Sequence, residues 1–104
     1  MLYKFNVTAY LCGHDHNLQH LQTTSSANTT MNFIVTGSAN IVDTSMAHKT
    51  SVPEDSLKFH WANPLGLGGL AHIQATSQNL TYSFVDALLG SEIYTGVIQP
   101  RQVN

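Results

Sequence analysis

The sequence has few charged residues, a single cysteine and no long apolar segment. Charged side chains make up 10% of its 104 residues, compared with about 25% in an average soluble domain. The formal net charge of −2 leaves no excess of lysine and arginine, which argues against a nucleic-acid partner. No apolar run approaches the roughly 18 residues that span a membrane. Cys12 alone cannot form an internal disulfide or a cysteine-rich zinc site.

The N-terminal segment also lacks the features of a secretory signal peptide. Residues 1–8, MLYKFNVT, contain one lysine but no extended apolar core. Three N-glycosylation sequons nevertheless begin at Asn6, Asn28 and Asn79, and such acceptors are typical of secreted proteins. We therefore treat these asparagines as candidate glycosylation sites, in a protein whose true N-terminus is expected upstream of this chain.

What the chain does contain is a series of short β-type segments. A hydrophobic content of 42% excludes a disordered chain, and the length fits one small domain or a piece of a larger one. Apolar, β-branched and aromatic residues recur in short runs between polar and glycine-containing segments, which predicts a mainly β structure. Strands are expected over residues 7–12, 17–22, 31–39, 56–61, 70–76, 80–87 and 92–99, loops over 23–30, 40–55 and 62–69, and the end of a helix over 1–6.

The strongest candidate for a functional site is the segment CGHDHN, residues 12–17, which follows an apolar strand. Residues two apart in an extended chain point the same way, with Cα atoms about 6.6 Å apart, so His14 and His16 can present their imidazoles together. Imidazole nitrogens bind metals at about 2.0–2.1 Å, and two rings suit either one ion or a pair about 3.5–4 Å apart. Gly13 allows a sharp turn at the strand end. The motif therefore predicts a metal site.

Other polar residues have simpler structural interpretations. Asp15, Asn17 and His20 lie close enough in sequence to orient the two imidazoles, although a single histidine such as His20 is more often a packed residue. Cys12 is expected to be an apolar packing residue, because its strand offers no basic neighbour. The remaining residues of these types are expected to serve in packing, at the surface or in loops: His48, His60, His72, Asp43, Asp86, Glu92, Gly66, Gly68 and Gly69.

The segment VTAYLCGHDHNLQHLQ, residues 7–22, resembles the part of the small, tartrate-resistant purple acid phosphatases that holds their last two metal ligands. The similarity continues through FIVTGSAN (33–40), SVPEDSLKFHW (51–61) and LGGLAHIQ (67–74). The resemblance implies that residues 1–104 are the C-terminal third of one metallophosphoesterase domain. The implied architecture is the mainly β, C-terminal part of an α/β fold, in which two packed β-sheets are flanked by helices.

The resemblance also implies a function, the hydrolysis of phosphate monoesters at acid pH on a binuclear metal centre. The expected cofactors are Fe(III) and a divalent ion, iron or zinc and less commonly manganese. By the match, His14 binds the divalent ion and His16 the ferric ion. The expected substrate is a small phosphate ester or a phosphoprotein, and the full-length protein is expected to be secreted or lysosomal.

The chain departs from the family in lacking its other ligand motifs, Gly-Asp-x-Gly, Gly-Asp-x-x-Tyr and Gly-Asn-His-Asp/Glu. We therefore expect it to be catalytically incomplete alone, with the N-terminal portion of the same domain as its partner. The alternative is a stand-alone structural or metal-binding β-module without catalysis. That alternative predicts fully covered apolar strands, whereas a fragment exposes apolar strand faces and an open sheet edge.

Overall fold

The computed structural model describes residues 1–47, 49–65 and 67–101, which form two β-sheets. The seven strands are β1 Ala9–Cys12, β2 Leu18–Thr24, β3 Thr30–Thr36, β4 Leu57–Trp61, β5 Gly69–Ala75, β6 Leu80–Asp86 and β7 Glu92–Ile98. Sheet A has the strand order β1-β3-β2-β4 and sheet B the order β5-β6-β7. Within the described ranges the helices are single 3-10 turns, Leu2–Phe5 and Lys49–Ser51. The mainly β class and the two packed sheets are thus confirmed.

All seven expected strands are present, and the main difference concerns the hairpin between β2 and β3. Thr24 and Thr30 pair across this hairpin, although both lie in the segment expected to be a loop. Threonine is β-branched and suits a pleated strand despite its polarity, so the loop shrinks to residues 25–29. β3 ends at Thr36 rather than at residue 39. The loop assignments of His48 and Gly66 fall outside the described residues.

The topology of sheet A places the motif segment at the end of the sheet where β1 and β3 terminate. β1 and β3 are parallel neighbours, and β2 lies antiparallel on the other side of β3. The chain must therefore pass over the end of β3 to travel from β1 to β2, and residues 13–17 make this crossing. Ligand sites of open sheets lie beyond the carboxyl ends of parallel strands, which is where this crossing lies.

The hydrophobic core lies between the two sheets. Leu18 and Ile34 of sheet A are fully buried against Phe84 of sheet B. Phe59 on β4 extends this contact, since its ring stacks on Tyr94 at 4.3 Å and on Phe84 at 5.6 Å between centroids. Aromatic side chains bury the largest apolar areas in a core, so these rings account for much of the packing between the layers.

A polar cluster centred on His20 is buried beside this core. His20 Nε2 lies 2.9 Å from Asn32 Oδ1, and Nδ1 lies 2.9 Å from the Tyr94 hydroxyl and 3.3 Å from that of Tyr82. Because Asn32 Oδ1 can only accept, Nε2 carries the hydrogen and Nδ1 accepts from a tyrosine. Burial lowers the pKa of His20, the Asn32 acceptor opposes that effect, and Lys58 adds to the lowering. The cluster therefore favours a neutral imidazole.

β1 is an edge strand with exposed apolar side chains. It pairs with β3 on one side and ends the strand order of sheet A on the other. Tyr10 and Leu11 are 48% and 45% exposed, and as consecutive strand residues they face opposite sides of the sheet. Parallel strands are normally covered on both faces. β1 thus offers an edge to which no described strand pairs, and apolar surface on both faces.

The buried His20 makes the stability of the fold depend on pH. The fold disfavours the protonated form of His20, whereas the unfolded chain takes up a proton near the unperturbed pKa of about 6.5. We expect the free energy of unfolding to fall as the pH decreases below about 6.5, by at most about 1.4 kcal/mol per pH unit for each such histidine. Urea unfolding followed by circular dichroism at several pH values measures this slope.

Two variants identify the origin of this pH dependence. His20→Gln should reduce the slope, and His72→Gln should retain it because His72 is exposed on β5. His60, whose pKa is also lowered by burial, keeps its own contribution in both variants. An unchanged slope in His20→Gln would contradict the assignment.

The open edge of β1 predicts self-association of the isolated chain. Unpaired strand edges with apolar side chains readily pair with another chain, and a lysine on the edge opposes this pairing. We expect sedimentation velocity to show concentration-dependent association that Leu11→Lys reduces. Leu88→Lys, on a 64% exposed residue of the β6–β7 turn, should leave it unchanged. A chain that stays monomeric at every concentration would refute this role of β1.

Candidate functional site

Backbone hydrogen bonds tie the motif loop to two other segments of the chain. The Asn17 N–H donates to the Asp15 carbonyl at 2.8 Å, and the Gly37 N–H donates to the Asn17 carbonyl at 3.1 Å. On the other side, the Asp43 N–H donates to the His16 carbonyl at 2.8 Å. The loop is therefore held between the end of β3 and the segment that follows it.

His14 adopts a left-handed backbone conformation, with φ of 79°. Such a conformation is uncommon for a residue with a β-carbon and costs about 1–3 kcal/mol, and these residues concentrate at binding and catalytic sites. The sequence placed the turn of this loop at Gly13, but Gly13 is not among the residues with positive φ. The chain thus reverses at the histidine itself, whose side chain is exposed.

Gly37 allows the motif loop to approach the end of β3 closely. A β-carbon at Gly37 would overlap the Asp15 carbonyl oxygen and lie 3.2 Å from the His14 backbone nitrogen. A β-carbon at Gly13 would lie no closer than 3.5 Å to its nearest neighbour, the Thr36 carbonyl oxygen. The position of the His-x-His loop over the sheet therefore requires glycine at 37, whereas position 13 has room for a small side chain.

His16 lines a cleft on the face of sheet A that points away from sheet B. The cleft has a volume of about 240 Å³, and Asp15, Asn17, Asp43 and His60 also line it. The residues that follow β3 fold over this face and contribute Asp43 through the hydrogen bond to His16 described above. The structure therefore gathers two imidazoles and two carboxylates around one cleft, from segments far apart in the sequence.

His60 is a cleft residue that sequence analysis did not select. It was expected to be a surface residue on the polar face of β4, but it is half-buried, and its Nε2 atom is buried without a hydrogen-bond partner among the described residues. Burial lowers the pKa of its imidazole. The antiparallel pairing of His60 with Gln19 brings it to the cleft, and this pairing has no local sequence signal.

The other candidates for orienting the imidazoles lie in different surroundings. Asp15 is exposed, and the buried Asn17 accepts a hydrogen bond from Gln19 Nε2 through its side-chain oxygen at 2.7 Å. His20 projects from the opposite face of β2, where Asn32 and the tyrosines occupy its ring nitrogens. The structure thus brings Asp15 and Asn17 to the His16 cleft and places His20 between the sheets.

The Cys12 thiol lies next to the motif and is half-buried. Burial raises the pKa of this thiol, and the nearby Asp15 carboxylate raises it further. A raised pKa disfavours the thiolate, which is the form that binds metals and attacks electrophiles. These surroundings suit a packing residue.

The three sequon asparagines differ in exposure. Asn6 and Asn28 are exposed, and both have positive φ values, of 55° and 59°. Asn79 is half-buried in the turn between β5 and β6, where its carbonyl accepts from the Thr76 N–H at 2.8 Å. Asn6 and Asn28 therefore have the more accessible side chains.

The described residues do not fit a complete binuclear metal centre. Among them, no group of three or more His, Cys, Asp or Glu side chains is arranged to hold a metal ion. Two neutral imidazoles cannot balance the charge of a ferric and a divalent ion, which needs anionic ligands as well. His14 and His16 can supply two nitrogen donors, and the other ligands of such a centre must come from elsewhere.

Sequence comparison with known proteins identifies relatives of this chain. Over 87 residues, or 84% of the chain, it is 40% identical to tartrate-resistant acid phosphatase type 5 of Oryctolagus cuniculus and 38% identical to those of Homo sapiens and Sus scrofa. The chain is a homologue of the tartrate-resistant acid phosphatases. No protein-family model matches it.

The comparison with tartrate-resistant acid phosphatases also sets the extent of the similarity. The aligned region is 26% of the rabbit and human proteins and 24% of the pig protein. The chain therefore spans about a quarter of the length of the curated relatives it matches. No helix in the described ranges is long and apolar enough to cross a membrane.

The close approach at Gly37 predicts a matched pair of glycine substitutions. Gly37→Ala should lower the free energy of unfolding by about 1–3 kcal/mol, since the added methyl group overpacks against the Asp15 backbone. It should also shift the amide NMR resonances of residues 14–17. Gly13→Ala, which meets no close neighbour, should change both quantities much less. Equal effects of the two substitutions would show that Gly37 does not position the loop.

Proposed function

We propose that this chain is the C-terminal part of an acid phosphatase, and that the complete protein hydrolyses phosphate monoesters at a binuclear metal centre. The observation that carries this proposal is the 38–40% identity to tartrate-resistant acid phosphatases over 84% of the chain. A small phosphate ester or a phosphoprotein is the proposed substrate. Secretion or lysosomal delivery of the complete protein is proposed from the same similarity, and the exposed sequons at Asn6 and Asn28 support it.

His14 and His16 are the proposed metal ligands of this chain, His14 for a divalent iron, zinc or manganese ion and His16 for Fe(III). Three features support the pair as ligands: their position beyond the ends of parallel strands, the strained backbone at His14, and the anchoring of the loop by Gly37 and Asp43. These contacts fix the backbone from which both imidazoles project. Asp15 and Asn17 are proposed to help orient the rings.

The N-terminal portion of the same domain is the proposed partner of this chain. β1 supports this assignment, because its unpaired edge and the exposed Tyr10 and Leu11 are surfaces that further strands would cover. A stand-alone β-module would instead cover its apolar parallel strand. The lack of a complete ligand set among the described residues supports the same partner, since the additional ligands would then come from that portion.

The proposal predicts a clear difference between the isolated chain and the complete protein. The isolated 104-residue chain should bind no stable iron pair, show no visible absorbance band, and not hydrolyse a generic phosphate monoester. In the full-length protein from the same gene, His14→Ala or His16→Ala should lower kcat by at least about 100-fold and reduce metal content, since even residues that only support a ligand are worth about 10–100-fold.

The matched control is His72→Ala, which removes an exposed imidazole on β5 and should leave metal content and kcat unchanged. If the isolated chain bound two metal ions and hydrolysed the monoester, residues of this chain would complete the site. That result would overturn the proposal that the chain is only the C-terminal part of the enzyme. A full-length protein that keeps metal and activity without His14 or His16 would overturn the ligand assignment.

A further inference from the structure

A second cleft opens between the two sheets, on the face of sheet A opposite to His60. It has a volume of about 470 Å³ and is lined by His20, Asn32 and Tyr82, among other residues, and by Arg101 beyond the end of β7. Volumes of this order accommodate small ligands. None of the residues that line it belongs to the His14–His16 motif.

The described residues that line this cleft carry positive charge and no negative charge. Of the described residues that line it, Arg101 alone carries a formal charge at neutral pH, and none is an aspartate or a glutamate. The other polar side chains are amides and hydroxyls, apart from His20. The lining therefore offers one fixed positive charge and many neutral hydrogen-bond donors.

The guanidinium of Arg101 is only partly satisfied. Its Nη2 donates to the Thr30 carbonyl at 2.7 Å, but its Nη1 is buried and has no hydrogen-bond partner among the described residues. No carboxylate of the described residues forms an ion pair with it. A buried cationic donor without a partner is costly, and the planar guanidinium matches the oxygen atoms of phosphate-like anions. Among the described lining residues Arg101 alone carries a positive charge, so it is the group that an anion in the cleft would approach.

The imidazole of His20, which also lines the cleft, has no free ring nitrogen with which to bind an anion. Both ring nitrogens of His20 are already hydrogen-bonded, to Asn32 and to the tyrosine hydroxyls. Gln22 Nε2 donates to Asn32 Oδ1 at 3.1 Å, and since an amide nitrogen carries two hydrogens, one remains for a ligand. The cleft thus combines a single cation with spare neutral donors.

We propose that this cleft binds a small tetrahedral oxyanion of the phosphate or sulfate type, with Arg101 as its main recognition group. The site does not depend on the proposed phosphatase activity, because it uses no metal and no residue of the motif. An anion bound there would contact both sheets, since residues of sheet A and of sheet B line the cleft.

Isothermal titration of the chain with inorganic phosphate and with sulfate tests this proposal, at low ionic strength and with a chelator present to remove metals. Wild type should bind both anions, and Arg101→Gln should weaken binding at least about 10-fold, as expected for the loss of a charged hydrogen-bond donor. Lys58→Gln removes the same charge from an exposed residue on β4 that does not line the cleft. This control should retain the wild-type affinity.

A second pair of variants keeps the test decisive if Arg101→Gln does not fold. Val97 lines the cleft and is 57% exposed, so polar side chains are tolerated there. Val97→Glu should weaken phosphate binding by repulsion, whereas Val97→Gln, of similar size, should not. Absence of phosphate and sulfate binding to wild type, equal binding of chloride, or affinities unchanged by both Arg101→Gln and Val97→Glu would overturn the proposal.

Discussion

The crossing of the motif loop over the end of β3 is the constraint on which the candidate site depends. β1 and β2 flank β3, so the short connection between them has to pass across the end of β3. The residue at that crossing is Gly37, whose missing β-carbon leaves room for the Asp15 carbonyl. The left-handed backbone of His14 lies within the same connection. A simple topological requirement thus places two histidines beyond the ends of two parallel strands.

Because side chains alternate along β2, one face of this strand packs against sheet B and the other face contributes to the cleft that His16 lines. β2 is paired on both edges, with β3 and with β4, which fixes its register. Leu18 and His20 face sheet B and are buried, whereas Gln19 faces the cleft that His16 lines. A shift of one residue would exchange these faces, so the same register that packs the sheets also determines the composition of the cleft.

The sequence predicted local features well and distant pairings poorly. Runs such as MNFIVTGSA and SLKFHW located strands, because apolar and β-branched residues reveal a strand within a few positions, although β3 ends at Thr36 rather than at residue 39. The membership of His60 and Asp43 in the cleft was not predicted, since it depends on the β2–β4 register and on how the segment after β3 folds back. The hydrogen bond from Arg101 to the Thr30 carbonyl joins residues that lie 71 positions apart along the chain. Such relations come from tertiary structure and leave no local pattern.

The buried His20 connects the packing of the sheets to the acid conditions that the proposed function implies. If His20 became protonated, Nδ1 would turn from acceptor to donor, and the tyrosine hydroxyls would have to turn their own hydrogens away. The new charge would then lie against the rings of Tyr82 and Tyr94, with no carboxylate of the described residues bonded to it. Burial lowers the pKa of His20 for this reason, and the Asn32 acceptor offsets the effect only in part. In a protein of this fold that works in acid, the interlayer packing therefore disfavours protonation of His20, because that packing buries its ring.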